Sequence, residues 1–161
     1  MFLQIFTTGG TIDKVYFDAL SEFQIGEPTV GGILSEAGVS FDYAIESLMK
    51  KDSLEITDAD RELIRTKVMA SDAQHILITH GTDTMAQTAS ELSDIADKTI
   101  VLTGAMQPAR FRDTDAIFNV GFAAASAQTL PVGVYLAMNG QVFEAGKVQK
   151  NRGAQRFEKS E

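Results

Sequence analysis

The chain has 161 residues, 14 Lys and Arg against 22 Asp and Glu, a formal charge of −8 and no cysteine, which excludes a disulfide scaffold, a thiol nucleophile and a Cys-ligated zinc. Its two histidines argue against a multi-histidine metal site, and no apolar run approaches the roughly 18 residues of a membrane span. With no basic leader ahead of the first apolar run, the expectation is one compact cytoplasmic domain over residues 1–161.

In chain order, short apolar runs alternate with helical patterns. Phe2–Phe6 reads as a first strand, ended by the Gly9-Gly10 pair. Residues 13–30 show no period and carry Gly26, Pro28 and several acids, which predicts a long mobile loop. A short helix is expected over Gly31–Ala37 and a second strand over Phe41–Met49. Residues 13–62 hold 12 acids and 4 bases, a balance that repels DNA and RNA, so nucleic acid is not an expected partner. Thr57, with Asp60 three residues on, opens a helix carrying Leu63, Ile64, Val68 and Met69.

His75–Thr79 is a third, buried-type strand, after which Thr84 and Gln87 suggest a capping box for a helix with Met85, Ala89, Leu92 and Ala96 on one face. A fourth strand at Thr99–Thr103 precedes a loop over Gly104–Asp113 and a helix over Asp115–Ala127. Val132–Met138 is a fifth strand, with a shorter one at Gln141–Glu144. The tail from Gly146 carries Lys147, Lys150, Arg152, Arg156 and Lys159, five bases expected to be solvated.

This β-α-β-α rhythm with unalternated apolar strands predicts an α/β fold, a doubly wound, mainly parallel sheet with helices on both faces. In such sheets the loops leaving the carboxyl ends of the strands line the ligand crevice. Here those loops are Thr7–Lys14, His80–Thr84 and Gly104–Asp113.

Thr7-Thr8-Gly9-Gly10-Thr11 places two glycines and three hydroxyls after the first strand. Its backbone N–H groups can hold a carboxylate or an oxyanion, or the segment is an ordinary tight turn. It fits neither a dinucleotide loop nor a phosphate loop. In His80-Gly81-Thr82-Asp83-Thr84, the Thr82 hydroxyl needs a base or cation nearby before it can attack anything. Asp83 either orients such a group, binds a substrate ammonium, or caps the following helix. Lys150 is either one more solvated cation or, if it folds back, a base for a hydroxyl. His75 and His80 are expected to be structural.

Three segments resemble the amino-terminal domain of the bacterial L-asparaginase family: Thr8-Gly9-Gly10-Thr11-Ile12, Ile78-Thr79-His80-Gly81-Thr82-Asp83-Thr84-Met85, and Leu102-Thr103-Gly104-Ala105-Met106-Gln107-Pro108. The resemblance implies that Thr11 is the primary nucleophile on a side-chain amide, that Lys150 activates Thr82, and that Asp83 holds the lysine or the substrate amine. It implies substrate contacts at Gly10, Ser53, Glu55, Gly81 and Ala105, an acyl-enzyme intermediate, and no cofactor or metal. Two positions depart from the family pattern: Phe23 stands where a tyrosine is usual, and Leu54 follows Ser53 where a polar residue is common. The family's second domain is absent from residues 1–161, which leads to the expectation of a homo-oligomer acting on a small amide or amino acid. The alternatives are an amino-acid-binding module with little or no turnover, and a subunit that needs a separate partner domain.

Overall fold

The computed structural model describes all residues, Met1–Glu161. The chain opens with strand β1 (Phe2–Gly9), a short hairpin of β2 (Lys14–Phe17) and β3 (Glu22–Ile25), helix α1 (Val30–Glu36) and strand β4 (Asp42–Lys51). Helix α2 (Asp58–Ala70), β5 (His75–Thr79), α3 (Met85–Glu91) and β6 (Thr99–Thr103) follow. Then come α4 (Ala116–Thr129), β7 (Gly133–Met138), β8 (Gln141–Glu144) and a terminal hairpin of β9 (Val148–Asn151) and β10 (Arg156–Lys159).

Six strands make the central sheet in the order β4-β1-β5-β6-β7-β8. All pairs are parallel except β7 with β8. The interiors of β5 and β6, Ile76–Ile78 and Ile100–Leu102, are apolar at every position because both faces are covered. Ile76, Ile78, Ile100 and Leu102 pack with Ile64 and Val68 of α2 and Met85 and Ala89 of α3. Leu3, Ile5, Leu77 and Val101 point the other way, onto Val30 and Leu34 of α1 and Val120 and Ala123 of α4. The α/β, mainly parallel sheet with helices on both faces is therefore as expected. No helix is long and apolar enough to cross a membrane.

Three expectations are corrected. The loop over 13–30 contains the β2–β3 hairpin, whose strands pair Tyr16 with Phe23 across the ladder. Those two rings meet edge to face at 5.4 Å, a cross-strand contact that stabilises a hairpin too short to show an apolar period. The Thr84–Gln87 capping box does not form: the Thr84 hydroxyl donates to Ser53 O at 2.7 Å and Gln87 accepts from Arg61. At its other end helix α3 stops at Glu91, short of Ala96, where the backbone tightens into turns such as Ser93 N to Ser90 O and Ile95 N to Leu92 O. By contrast the Thr57–Asp60 box has both of its bonds. Finally, of the five tail bases Lys147, Arg152, Arg156 and Lys159 are exposed as expected, but Lys150 is not, because the tail folds into a hairpin whose Val148 and Phe157 are buried in the α2/α3-side core.

Candidate active site

β1 and β5 are neighbours, and the winding of the chain reverses between them, from β4 on one side to β6 on the other. A crevice at their carboxyl ends follows from that reversal. Close backbone packing brings its walls together. Gly10 has φ +86°, and a Cβ there would lie 2.5 Å from both Gly81 Cα and Gly81 N. A Cβ on Gly81 would in turn lie 2.5 Å from Ser53 Cβ. Gly10, Gly81 and Ser53 thus stack, which brings the loop after β1, the loop after β5 and the turn after β4 to one place. Gly10 N donates to Lys51 O at 2.9 Å and Thr8 Oγ1 to Thr79 O at 2.9 Å, tying the same loops further.

Thr11 opens the single 3₁₀ turn Thr11–Asp13 and is half-buried, with Ile12 beneath it in the core. Thr82 follows Gly81 and is buried. Lys150 in β9 donates to Thr82 Oγ1 at 2.7 Å and to Asp83 Oδ1 at 2.9 Å, and its side chain is only 15% exposed. Of the two readings left open for Lys150, the folded-back one is what the fold adopts. Asp83 is no helix cap, because its carboxylate faces Lys150 and, at 3.2 Å, Arg152. The Lys150 hydrogen bond, and behind it the charges of Lys150 and Arg152, hold the Asp83 carboxyl below its ordinary range against the opposing pull of partial burial.

Ser53 is buried in the turn Ser53–Glu55, which Asp52 caps by accepting from Leu54 N at 3.0 Å. Its Oγ accepts from Asp83 N at 3.2 Å. Leu54 and Glu55 beside it are exposed. The Ala105 methyl is buried in the α1/α4-side cluster with Ile12, leaving only its backbone groups for a ligand. Phe23 packs against Tyr16 and, at 5.8 Å, Phe111. No group of three or more histidine, aspartate or glutamate side chains converges to hold a metal ion. A cleft of about 710 Å³ lies at the opposite, amino ends of β1 and β5, lined by Gln4, His75 and the Lys67–Glu46 ion pair, and no lysine there is bonded to a hydroxyl.

The comparisons agree with this geometry. The family model described as asparaginase, N-terminal, matches residues 3–158. The chain belongs to the asparaginase family. A glutaminase-asparaginase of Acinetobacter glutaminasificans is 32% identical over 143 residues, 85% of this chain and 41% of that protein. One of the subunits of a glutamyl-tRNA(Gln) amidotransferase of Methanococcus maripaludis is 35% identical over 121 residues, 69% of this chain and 28% of that protein. The thermostable L-asparaginase from Thermococcus kodakarensis superposes with a TM-score of 0.85 at 28% identity, over 99% of this chain and 51% of that one. The chain therefore spans about half the length of these relatives or less.

Within this asparaginase domain His80 is structural, as expected, whereas Asp13 and Arg110 form a clasp that motif reading passes over. His80, fully buried, contacts Gly81 O through Nδ1 at 2.7 Å and Thr88 Oγ1 through Nε2 at 2.8 Å. Burial pushes its pKa down to about 4, and the carbonyl partner assigns the proton to Nδ1, so the neutral ring holds the Gly81 turn against α3. Asp13 is buried and accepts from Thr29 N and Oγ1 at 2.9 and 2.8 Å, while Arg110 reaches Asp13 O and Glu27 O, clasping the base of the β2–β3 hairpin. Arg152, in the turn that follows β9, also reaches the site, at 3.2 Å from Asp83 Oδ1.

Proposed function

We propose that this chain is the nucleophile-bearing part of an amidohydrolase that releases ammonia from the side-chain amide of L-asparagine or a related small amide. The observation that carries the reading is Lys150 Nζ placed between Thr82 Oγ1 at 2.7 Å and Asp83 Oδ1 at 2.9 Å. A threonine hydroxyl becomes a useful nucleophile or proton carrier only beside a base or cation, and Asp83 fixes the direction of the lysine. In this reading Thr11 attacks the amide carbon, the C–N bond breaks, and the nitrogen leaves as ammonia with the hydroxyl proton. Water, drawn on by Thr82 and Lys150, then hydrolyses the ester and restores Thr11. Ser53 and Glu55 hold the polar groups of the substrate, and backbone groups of Gly10, Gly81 and Ala105 line its other side. No cofactor takes part. The names of the relatives, asparaginase and glutaminase-asparaginase, support the substrate class.

The reading includes self-association in the cytoplasm. Helix α4 carries no charged residue and exposes Ile117 and Phe118, an apolar face that supports contact with a second copy. Ammonia release from high L-asparagine, compared with Thr82→Val, tests the core of the proposal. Release that disappears with the hydroxyl is expected, and an unchanged rate removes Thr82 from the mechanism.

A second reading is a binding module or a component that works only with a partner chain. Phe23 favours it, because a phenyl ring cannot relay a proton, as does the relative that is one part of an amidotransferase. It predicts stabilisation by aspartate, rising as RT ln(1 + [L]/Kd), without ammonia from the chain alone.

A further inference from the structure

Helix α2 buries Arg61, Ile64 and Val68 on one face, so a guanidinium stands where helical spacing calls for an apolar side chain. The Arg61 side chain is only 7% exposed, yet its one carboxylate partner, Asp58 at 3.1 Å, is 91% exposed. Its Nε is buried without a partner. Such an arrangement adds little to stability, because a single solvated anion offsets little of the cost of desolvating the charge. What the guanidinium does reach is the support of the crevice. Its Nη2 donates to Ile56 O and to Gln87 Oε1, both at 3.3 Å.

Ile56 closes the turn that carries Ser53 and Glu55, its N donating to Ser53 O at 3.3 Å. The same Ser53 O accepts from the Thr84 hydroxyl at 2.7 Å, and Ser53 Oγ accepts from Asp83 N. Gln87 lies in α3, the helix that Thr84 precedes. One nitrogen of Arg61 therefore spans from the turn after β4 to the helix after β5, across the seam where Ser53 meets Gly81. We propose that Arg61 is a positioning residue, holding the Ser53–Glu55 turn in register with Thr82 and Asp83 so that Ser53 presents its groups to the substrate. It touches no substrate itself. The proposal rests on the reading that Ser53 and Glu55 hold the polar groups of the substrate.

The test compares the whole chain with three variants. Arg61→Met keeps the packing of the stem and removes the guanidinium. Gln87→Ala removes the α3 end of the span at an exposed position, and Asp58→Ala removes only the solvated carboxylate. Calorimetry gives Kd for L-aspartate, and ammonia release from L-asparagine gives KM and kcat. Arg61→Met is expected to raise Kd and KM about tenfold, the lower end for a bond from a charged donor because the contacts are long. Its kcat should change less than about twofold, since a displaced Ser53 loosens ground and transition states alike. Its Tm should stay within about 4 °C of the wild type, since the Asp58 and Gln87 left behind are hydrated. Gln87→Ala is expected to raise Kd about threefold. Asp58→Ala should leave Kd unchanged, whereas an effect of charge at a distance would tighten it and overturn the proposal. An unchanged Kd in Arg61→Met, or in Gln87→Ala should Arg61→Met fail to fold, overturns it as well, even if ammonia is released. So does a fall of kcat and Tm together with KM intact, which marks a role in stability alone. Arg61-dependent aspartate binding without ammonia supports the positioning and defeats the amidase reading alone. A wild type that neither binds aspartate nor releases ammonia overturns both.

Discussion

Replacing Gly81 with alanine tests the stacking that assembles the crevice. The added Cβ would stand 2.5 Å from Ser53 Cβ, 2.8 Å from Ser53 Oγ and 3.0 Å from Ser53 N, whereas ordinary contact begins near 3.4 Å. The two segments must part by about 0.9 Å, and neither can swing away, because Gly81 is also packed against Gly10 and Ser53 is bonded to Asp83 N and Thr84 Oγ1. Overpacking of this kind destabilises by about 2 kcal/mol, or about 4–8 °C in Tm for a domain of this size. A shift near 1 Å in a residue that positions substrate lowers turnover by about 100-fold. Gly121 is the internal control. It lies inside α4 with open space where its Cβ would be, so Gly121→Ala is expected to stabilise by about 0.5–1 kcal/mol. Thermal and urea denaturation of the two variants should give shifts of opposite sign. A Gly81→Ala protein as stable as the wild type would mean that the loops are not in contact and that the proposed crevice is not assembled this way.

Two further predictions concern the supports of the site. Phe157→Ala empties a buried site beside Phe143, 6.5 Å away between ring centroids. It is expected to cost about 3–5 kcal/mol and, with the terminal hairpin loosened, to release Lys150 from Thr82; urea denaturation together with ligand calorimetry checks both. His80 gives a pH signature of defined sign. Its folded pKa of about 4 lies below the ordinary 6.5, so as pH falls below 6.5 the unfolded chain takes up the proton first and the native state loses stability. The loss saturates below the folded value, at about 3 kcal/mol. Burial raises the Asp13 pKa and works in the other direction, so the quantity to measure is the difference between wild type and His80→Gln. That difference should be constant above pH 7 and decline between pH 6.5 and 4; a flat difference would show that the ring is not held neutral by burial.

Much of the fold is legible in the chain because the interiors of its central strands β5 and β6 are apolar throughout and its helices repeat at the usual spacing. His75–Thr79 and Thr99–Thr103 are observed with the expected bounds, since a strand buried on two faces has no alternative use for such a run. First strand and fourth helix run longer than read, to Gly9 and Thr129, because parallel pairing and sheet cover extend elements past the residues that nucleate the pattern. The β2–β3 hairpin was not legible. Its four-residue strands are exposed, so no burial pattern is written into them, and what holds them is ring contact and the Asp13–Thr29 clasp across 16 residues. The capping box at the start of α3 was misleading for a related reason: Thr84 and Gln87 have cap-competent side chains, and tertiary partners took both.

The site divides along the same line. Residues 10–11 and 81–83 sit in short contiguous motifs at strand ends, where the need for glycine is local and the sequence states it. The group that makes Thr82 chemically useful does not. Lys150 reaches Thr82 across 68 positions, by way of a hairpin whose only large anchor is Phe157, and nothing in the five bases of the tail distinguishes it from Lys147, which stays exposed in an ion pair with Glu144. Thr82 and Asp83 are thus placed by the sheet and Lys150 by the terminal hairpin, two parts of the chain that can vary separately. A substitution that loosens the hairpin can therefore withdraw Lys150 from Thr82 while every motif at the strand ends stays intact.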